Sequence, residues 1–100
     1  MKALFHPEAE REFLDYVRYY ESKVAGLGDA LIDEAELLIQ LICTHPKSWP
    51  TSQNPDIRRA TMRQFPLSIV YRIQPDSIQV LAFAHDRRQP GYWLERHSRG

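Results

Sequence analysis

The chain has 100 residues, 43% hydrophobic and 26% charged, which suits one modest hydrophobic core and excludes a disordered chain, so residues 1–100 are read as a single domain. Its formal net charge of zero hides two opposed halves: residues 1–50 carry 5 Lys/Arg against 9 Asp/Glu, and residues 51–100 carry 8 Arg and no Lys against 4 Asp/Glu. The second half is therefore the one that seeks anions.

The opening MKALFHPEAERE turns acidic and has no long apolar run, so neither a secretory signal nor a membrane span is expected, and the chain is read as cytoplasmic, without a membrane partner. KALFH, residues 2–6, reads as a short strand ending at Pro7, a residue suited to the first position of a helix because it needs no donor there. From Pro7 to about Lys23, Ala9, Phe13, Tyr16, Val17 and Tyr20 follow helical spacing, and Glu8, Glu10 and Glu12 suit the positive end of the helix. Ala25-Gly26-Leu27-Gly28 interrupts the pattern. A second helix is expected from Asp29, with Leu31, Ala35, Leu38, Ile39 and Ile42 on one face, until Thr44-His45-Pro46 stops it. The lone Cys43 sits on this apolar pattern and is expected to serve packing.

PKSWPTSQNPD, residues 46–56, has three prolines and no period, and reads as a loop anchored by Trp49. Three strands follow, about Ile57–Gln64, Leu67–Ile73 and Ile78–His85, joined through Phe65-Pro66 and through Gln74-Pro75-Asp76-Ser77. IQVLAFAH, apolar on both faces, is expected to be the most central. The whole predicts an α+β fold, β-α-α-β-β-β, with an antiparallel sheet on a helical hairpin and a short C-terminal tail.

Alternation places Arg59, Thr61 and Arg63 on one face of the first of these strands and Arg58 on the other. With Arg72 in the next strand and Arg87 and Arg88 after the last, five or six arginines can gather around one end of the sheet, where they suit phosphate or carboxylate. They equally keep a small sheet soluble and its edges unpaired. His85 closes the last strand; histidine titrates near neutrality, so it is a candidate base or acid, and a structural hydrogen bond is the competing reading. After the turn expected at Pro90-Gly91, Trp93 is read as packing and Tyr92 as either a proton donor or a stacking platform. Four histidines at positions 6, 45, 85 and 97 and one cysteine show no ligand spacing, so neither metal nor cofactor is expected.

HPEAEREF, YYE, GLG, THPKSWP, IRRATMRQFPLSIVYRI and VLAFAHDRRQPGYWLER together resemble the RelE/ParE superfamily of toxins from bacterial type II toxin–antitoxin, or plasmid stabilisation, modules, and fit its ParE-like branch best. The resemblance implies a three-to-four-stranded antiparallel sheet on a helical hairpin, a cognate antitoxin that wraps and neutralises the chain, and operator DNA bound only through that complex. It implies growth inhibition, either by ParE-like poisoning of DNA gyrase, a non-enzymatic action, or by RelE-like, metal-free cleavage of messenger RNA on the ribosome; an attenuated member that only binds antitoxin and autoregulates is a third reading. A nuclease would draw on Arg59, Arg63, His85, Arg87 (or Arg88) and Tyr92, whereas Arg58, Arg59, Arg63, Arg72, His85, Arg87, Arg88 and Trp93 are the expected partner surface. Ser68 and Thr61 stand where the RelE-like pattern carries basic residues, which removes cations from the phosphate position and favours the gyrase reading.

Overall fold

The computed structural model describes residues 1–52, 54–88 and 91–99. Along them run β1 (Lys2–Phe5), α1 (Pro7–Lys23), α2 (Leu27–Thr44), β2 (Thr51–Ser52), β3 (Asn54–Thr61), β4 (Leu67–Ile73), β5 (Ser77–His85) and a final 3-10 helix (Leu94–Arg99). The expected β-α-α-β-β-β order is present, with β2 as a short addition.

α1 begins as its sequence dictates, with Pro7 at the first turn and acidic Glu8 and Glu10 behind it; His6 caps it, Nδ1 accepting the Glu8 N–H at 3.1 Å, which satisfies one of the donors a helix start leaves free. The hairpin turn rests on Gly26, whose φ of +90° lies where side chains are strained. Glu21 closes the turn: its carboxylate accepts the Gly26 N–H at 3.0 Å and the Gly28 N–H at 2.9 Å. Those N–H groups favour the charged carboxylate and hold its pKa below the usual glutamate value. α2 starts at Leu27, ahead of the expected Asp29, and so includes Gly28. A Cβ on Gly28 would stand 3.0 Å from the Val17 carbonyl oxygen, so this glycine marks a close approach of the helices rather than a break.

The strands lie in the order β1-β5-β4-β3-β2. β2 to β5 pair antiparallel, but β1 pairs parallel with β5, a correction to the all-antiparallel expectation. The two helices cross the sheet between β1 and the later strands, and that crossover returns β5 beside β1 in the same direction. β5 is buried from Ser77 to Ala84, yet the middle position belongs to β4; β5 is apolar on both faces because both are covered, not because it is central. β3 stops at Thr61 rather than Gln64, since the Arg63 and Gln64 N–H groups donate to the Glu34 carboxylate of α2 and leave the ladder. The 46–56 stretch is shorter as a loop than expected, because β2 and the start of β3 lie within it; Gln53 lies outside the described residues.

Two apolar clusters flank the sheet. On the helix side, Leu31, Ala35, Leu38 and Ile42 of α2 meet Ile69, Tyr71, Val80 and Phe83, with Trp49 and Cys43 packed at the margin. Each fully buried aliphatic side chain contributes about 2 kcal/mol. On the outer side, Ile57, Val70, Leu81, Ala82 and Ala84 lie under Trp93. Among the described residues no helix is long and apolar enough to cross a membrane.

Candidate functional site

The sequence-predicted arginines were expected to gather around one end of the sheet, and its outer face is where two of them meet. Strand pairing sets Arg59 opposite Val70, Ile57 opposite Arg72 and Thr61 opposite Ser68, and paired residues share a face. Arg59 and Arg72 are thus diagonal neighbours there.

Arg59 is already occupied. Its Nη2 lies 3.3 Å from Asp86 Oδ1, and its guanidinium sits 5.6 Å from the Trp93 ring centre, a cation–π arrangement. Asp86 Oδ1 also accepts the Ser68 hydroxyl at 2.7 Å, and Ser68 lies 3.3 Å from Thr61 Oγ1. Ser68 is fully buried. A carboxylate and two hydroxyls therefore stand where a phosphate would need cations.

The remaining residues disperse. Arg58 points to the helix side, where Nη1 donates to the Trp49 carbonyl at 2.6 Å and the Lys47 carbonyl at 3.3 Å. Beside it Tyr71 donates to the Pro46 carbonyl at 2.6 Å, and burial raises its pKa to about 12. Arg63 lies beyond the end of β3, so strand alternation does not bring it to Arg59. It lines a groove on α2 with Glu34, Leu37, Leu38, Leu41 and Trp49. His85 ends β5 on the α1 side, in a groove with Tyr16, Tyr19 and Tyr20, and its Nδ1 accepts the Arg87 N–H at 3.1 Å. The side chains of Arg63 and Arg87 are exposed.

The C-terminal segment covers what the sheet leaves open. Gly91 has a φ of +93° and its carbonyl accepts the Leu94 N–H at 3.0 Å; Pro90, the other half of the expected turn, lies outside the described residues. Trp93 is fully buried, as packing predicts, and presents no surface to a partner in this arrangement. Tyr92 lies under Arg88, whose guanidinium is 3.8 Å from its ring centre, with Arg96 at 5.0 Å. The Tyr92 hydroxyl is buried without a hydrogen bond of ordinary length. Burial, reinforced by the nearby Glu12 carboxylate, pushes its pKa far above the usual tyrosine value despite the two arginines.

The organising pair of this region is one the sequence did not single out. Arg96 meets Glu12 in a bidentate contact, Nη1 to Oε1 and Nη2 to Oε2 both at 3.0 Å. β5 carries a bulge at Leu81, skipped between the Val70–Ala82 and Tyr71–Val80 pairs, and beyond Val80 it has no β1 partner. Arg96 donates to the Leu81 carbonyl at 3.0 Å and Glu12 accepts the Phe83 N–H at 3.1 Å, which satisfies backbone groups that the bulged edge would strand. Glu12 falls on the inward side of α1 among Phe13 and Tyr16, and a carboxylate on an apolar face is the signal that it needs a partner. Among the described residues no three His, Cys, Asp or Glu side chains group as metal ligands.

The family model described as the ParE toxin of a type II toxin–antitoxin system, parDE, matches residues 3–90. Among solved structures, the chain is similar to one titled "Chromosomal ParDE TA system from P. aeruginosa", with a TM-score of 0.64 and 16% identity, over 85% of this chain and 95% of that one. That likeness is one of fold. No curated protein matches the chain.

Proposed function

Because the chain belongs to the ParE toxin family of type II toxin–antitoxin systems, we propose that it arrests growth by binding DNA gyrase and not by cutting RNA. The family makes it the toxin half of a two-protein module, with a cognate antitoxin as partner.

The Asp86–Arg59 pair carries the choice of mechanism. Metal-free cleavage of RNA needs a base for the 2′-hydroxyl, cations for the charge that builds on phosphate, and an acid for the leaving oxygen. Asp86 neutralises Arg59 and sits beside the buried Ser68, so a phosphate there would meet like charge. His85 lines the α1 groove and Tyr92 lies beneath Arg88, edge-on to Trp93 at 5.1 Å. What the surface offers are exposed arginines, Arg63 and Arg87, on separate flanks. Cations spaced without an acid–base pair suit recognition of an acidic macromolecular surface. Arg63, Arg72, Arg87 and Arg88 are the residues assigned here to partner contact.

The test is supercoiling by purified gyrase titrated with the purified chain. Inhibition that the cognate antitoxin relieves is the expected result. Untouched supercoiling at concentrations that arrest growth, together with new 5′ ends inside transcripts, would overturn the reading in favour of ribosome-dependent cleavage.

A further inference from the structure

The helix side of the sheet is not completely filled. Gly28 lets α1 and α2 approach closely where the hairpin turns, but further along α2 an opening of about 480 Å³ lies between Phe13 of α1, the wall of α2 and the β1–β5 edge. That volume is in the range of small-ligand sites. The inward stripe of α2, Leu31, Ala35, Leu38 and Ile42, has its one small side chain here. Ala35 and Phe83, both buried, close the floor, while Phe5, Phe13, Ile32 and Ile39, each partly exposed, form the walls. Phe83 stacks on Phe5 at 5.9 Å and lies 4.7 Å from Phe13, so both wall rings are held in place by a third.

The charge at the mouth is of one sign. Glu36, exposed, is the charged residue of the lining, and among the described residues no Lys or Arg pairs with it. α2 as a whole carries Asp29, Asp33, Glu34 and Glu36 and no Lys or Arg. On α1, Glu10 stands one turn before Phe13 on its side of the helix, whereas Arg11, two positions from Phe13, faces away from it. The N-terminal ammonium is held on the Cys43 carbonyl at 3.4 Å, about two turns past Glu36. Aromatic walls with a carboxylate at the mouth match a cation whose body is apolar: the ring faces attract the charge, and the body leaves water. An anion would meet like charge, and a neutral apolar molecule would leave Glu36 unused.

We propose that this opening binds a small organic ammonium ion with an alkyl or aryl body, the body against Phe5, Phe13, Ile32 and Ile39 and the charge beside Glu36. The site lies on the opposite side of the sheet from Arg59 and Asp86 and does not depend on gyrase being the target.

Phenethylammonium, phenethyl alcohol and phenylacetate, probes of similar size and different charge, test it when titrated at neutral pH into the full isotope-labelled chain and followed by amide NMR shifts. The cation should give saturable shifts at Ile32, Ala35 and Ile39 and bind more tightly than the alcohol, with phenylacetate weakest. Glu36→Gln, a change at an exposed position, should weaken the cation about fivefold, the worth of one charge pair at contact distance in water, and leave the alcohol unchanged. Added salt should weaken the cation alone. Ala35→Leu should fill the floor and weaken cation and alcohol together; if that variant fails to fold, Glu36→Gln decides alone. No saturable shift, equal affinity for cation and alcohol, or a cation affinity indifferent to Glu36→Gln overturns the proposal.

Discussion

The Arg59 guanidinium lies 3.3 Å from the Asp86 carboxylate on the outer face of the sheet, so the arginine best placed to hold phosphate is neutralised from within the chain. Asp86→Ala should free Arg59 and leave the buried Ser68 hydroxyl with only Thr61 nearby. The loss of that acceptor and of a partly exposed ion pair should cost about 1–2 kcal/mol, read from the urea midpoint, while the outer face gains affinity for inorganic phosphate. A variant as stable as the parent and still blind to phosphate would show that Asp86 does not mask Arg59.

Tyr92→Phe is expected to leave growth arrest intact and to change stability little, since the buried hydroxyl it removes makes no hydrogen bond of ordinary length. Arg59→Ala should also keep arrest. Both variants would be induced without antitoxin, with transcript 5′ ends mapped within minutes. Loss of arrest together with loss of cuts in either one would restore the nuclease reading.

Glu12 and Arg96 tie the C-terminal segment to α1 and to the bulged edge of β5 across 84 positions of sequence. Glu12→Ala strands the Phe83 N–H and removes the counter-charge of Arg96, leaving it the Leu81 carbonyl, at a site where both side chains are mostly buried. The expected loss is about 2–4 kcal/mol, with faster hydrogen exchange at Phe83 than in the parent. A double-mutant cycle with Arg96→Ala should recover part of it as coupling; strict additivity would mean that the two residues act separately.

Gly28→Ala pits two effects against each other. Alanine favours an exposed helix by about 1 kcal/mol over glycine. Here its Cβ would meet the Val17 carbonyl at 3.0 Å, a backbone atom that cannot turn aside, although the Glu21 side chain nearby can. Crowding should win by about 1 kcal/mol, so the variant should melt below the parent.

Glu21 gives the hairpin a pH dependence of known sign. Its folded pKa is lowered by the Gly26 and Gly28 N–H groups, so its stabilisation is present above the pKa of an unfolded glutamate, about 4.3, and is lost as pH falls through the lower folded value. Melting temperatures of the parent and of Glu21→Gln should differ at neutral pH and converge in acid. A gap that persists at the lowest pH would point to packing rather than charge.

Local patterns in the sequence determined much of this molecule. Pro7 with its acidic followers sets α1 at Pro7–Lys23, alternation sets β4 at Leu67–Ile73, and the linear run of motifs carries the family, because each depends on residues a few positions apart. Tertiary structure decided the rest. The parallel β1–β5 pairing, the bulge at Leu81 and the end of β3 on Glu34 depend on where distant segments meet. So does the fate of the candidate residues: Arg59 was placed on its face by alternation, but its partner Asp86 lies 27 residues away, and Arg63 left that face once the strand ended at Thr61. The direction of a side chain follows from local backbone geometry, whereas the charge it meets is set by the packing of strands far apart in sequence.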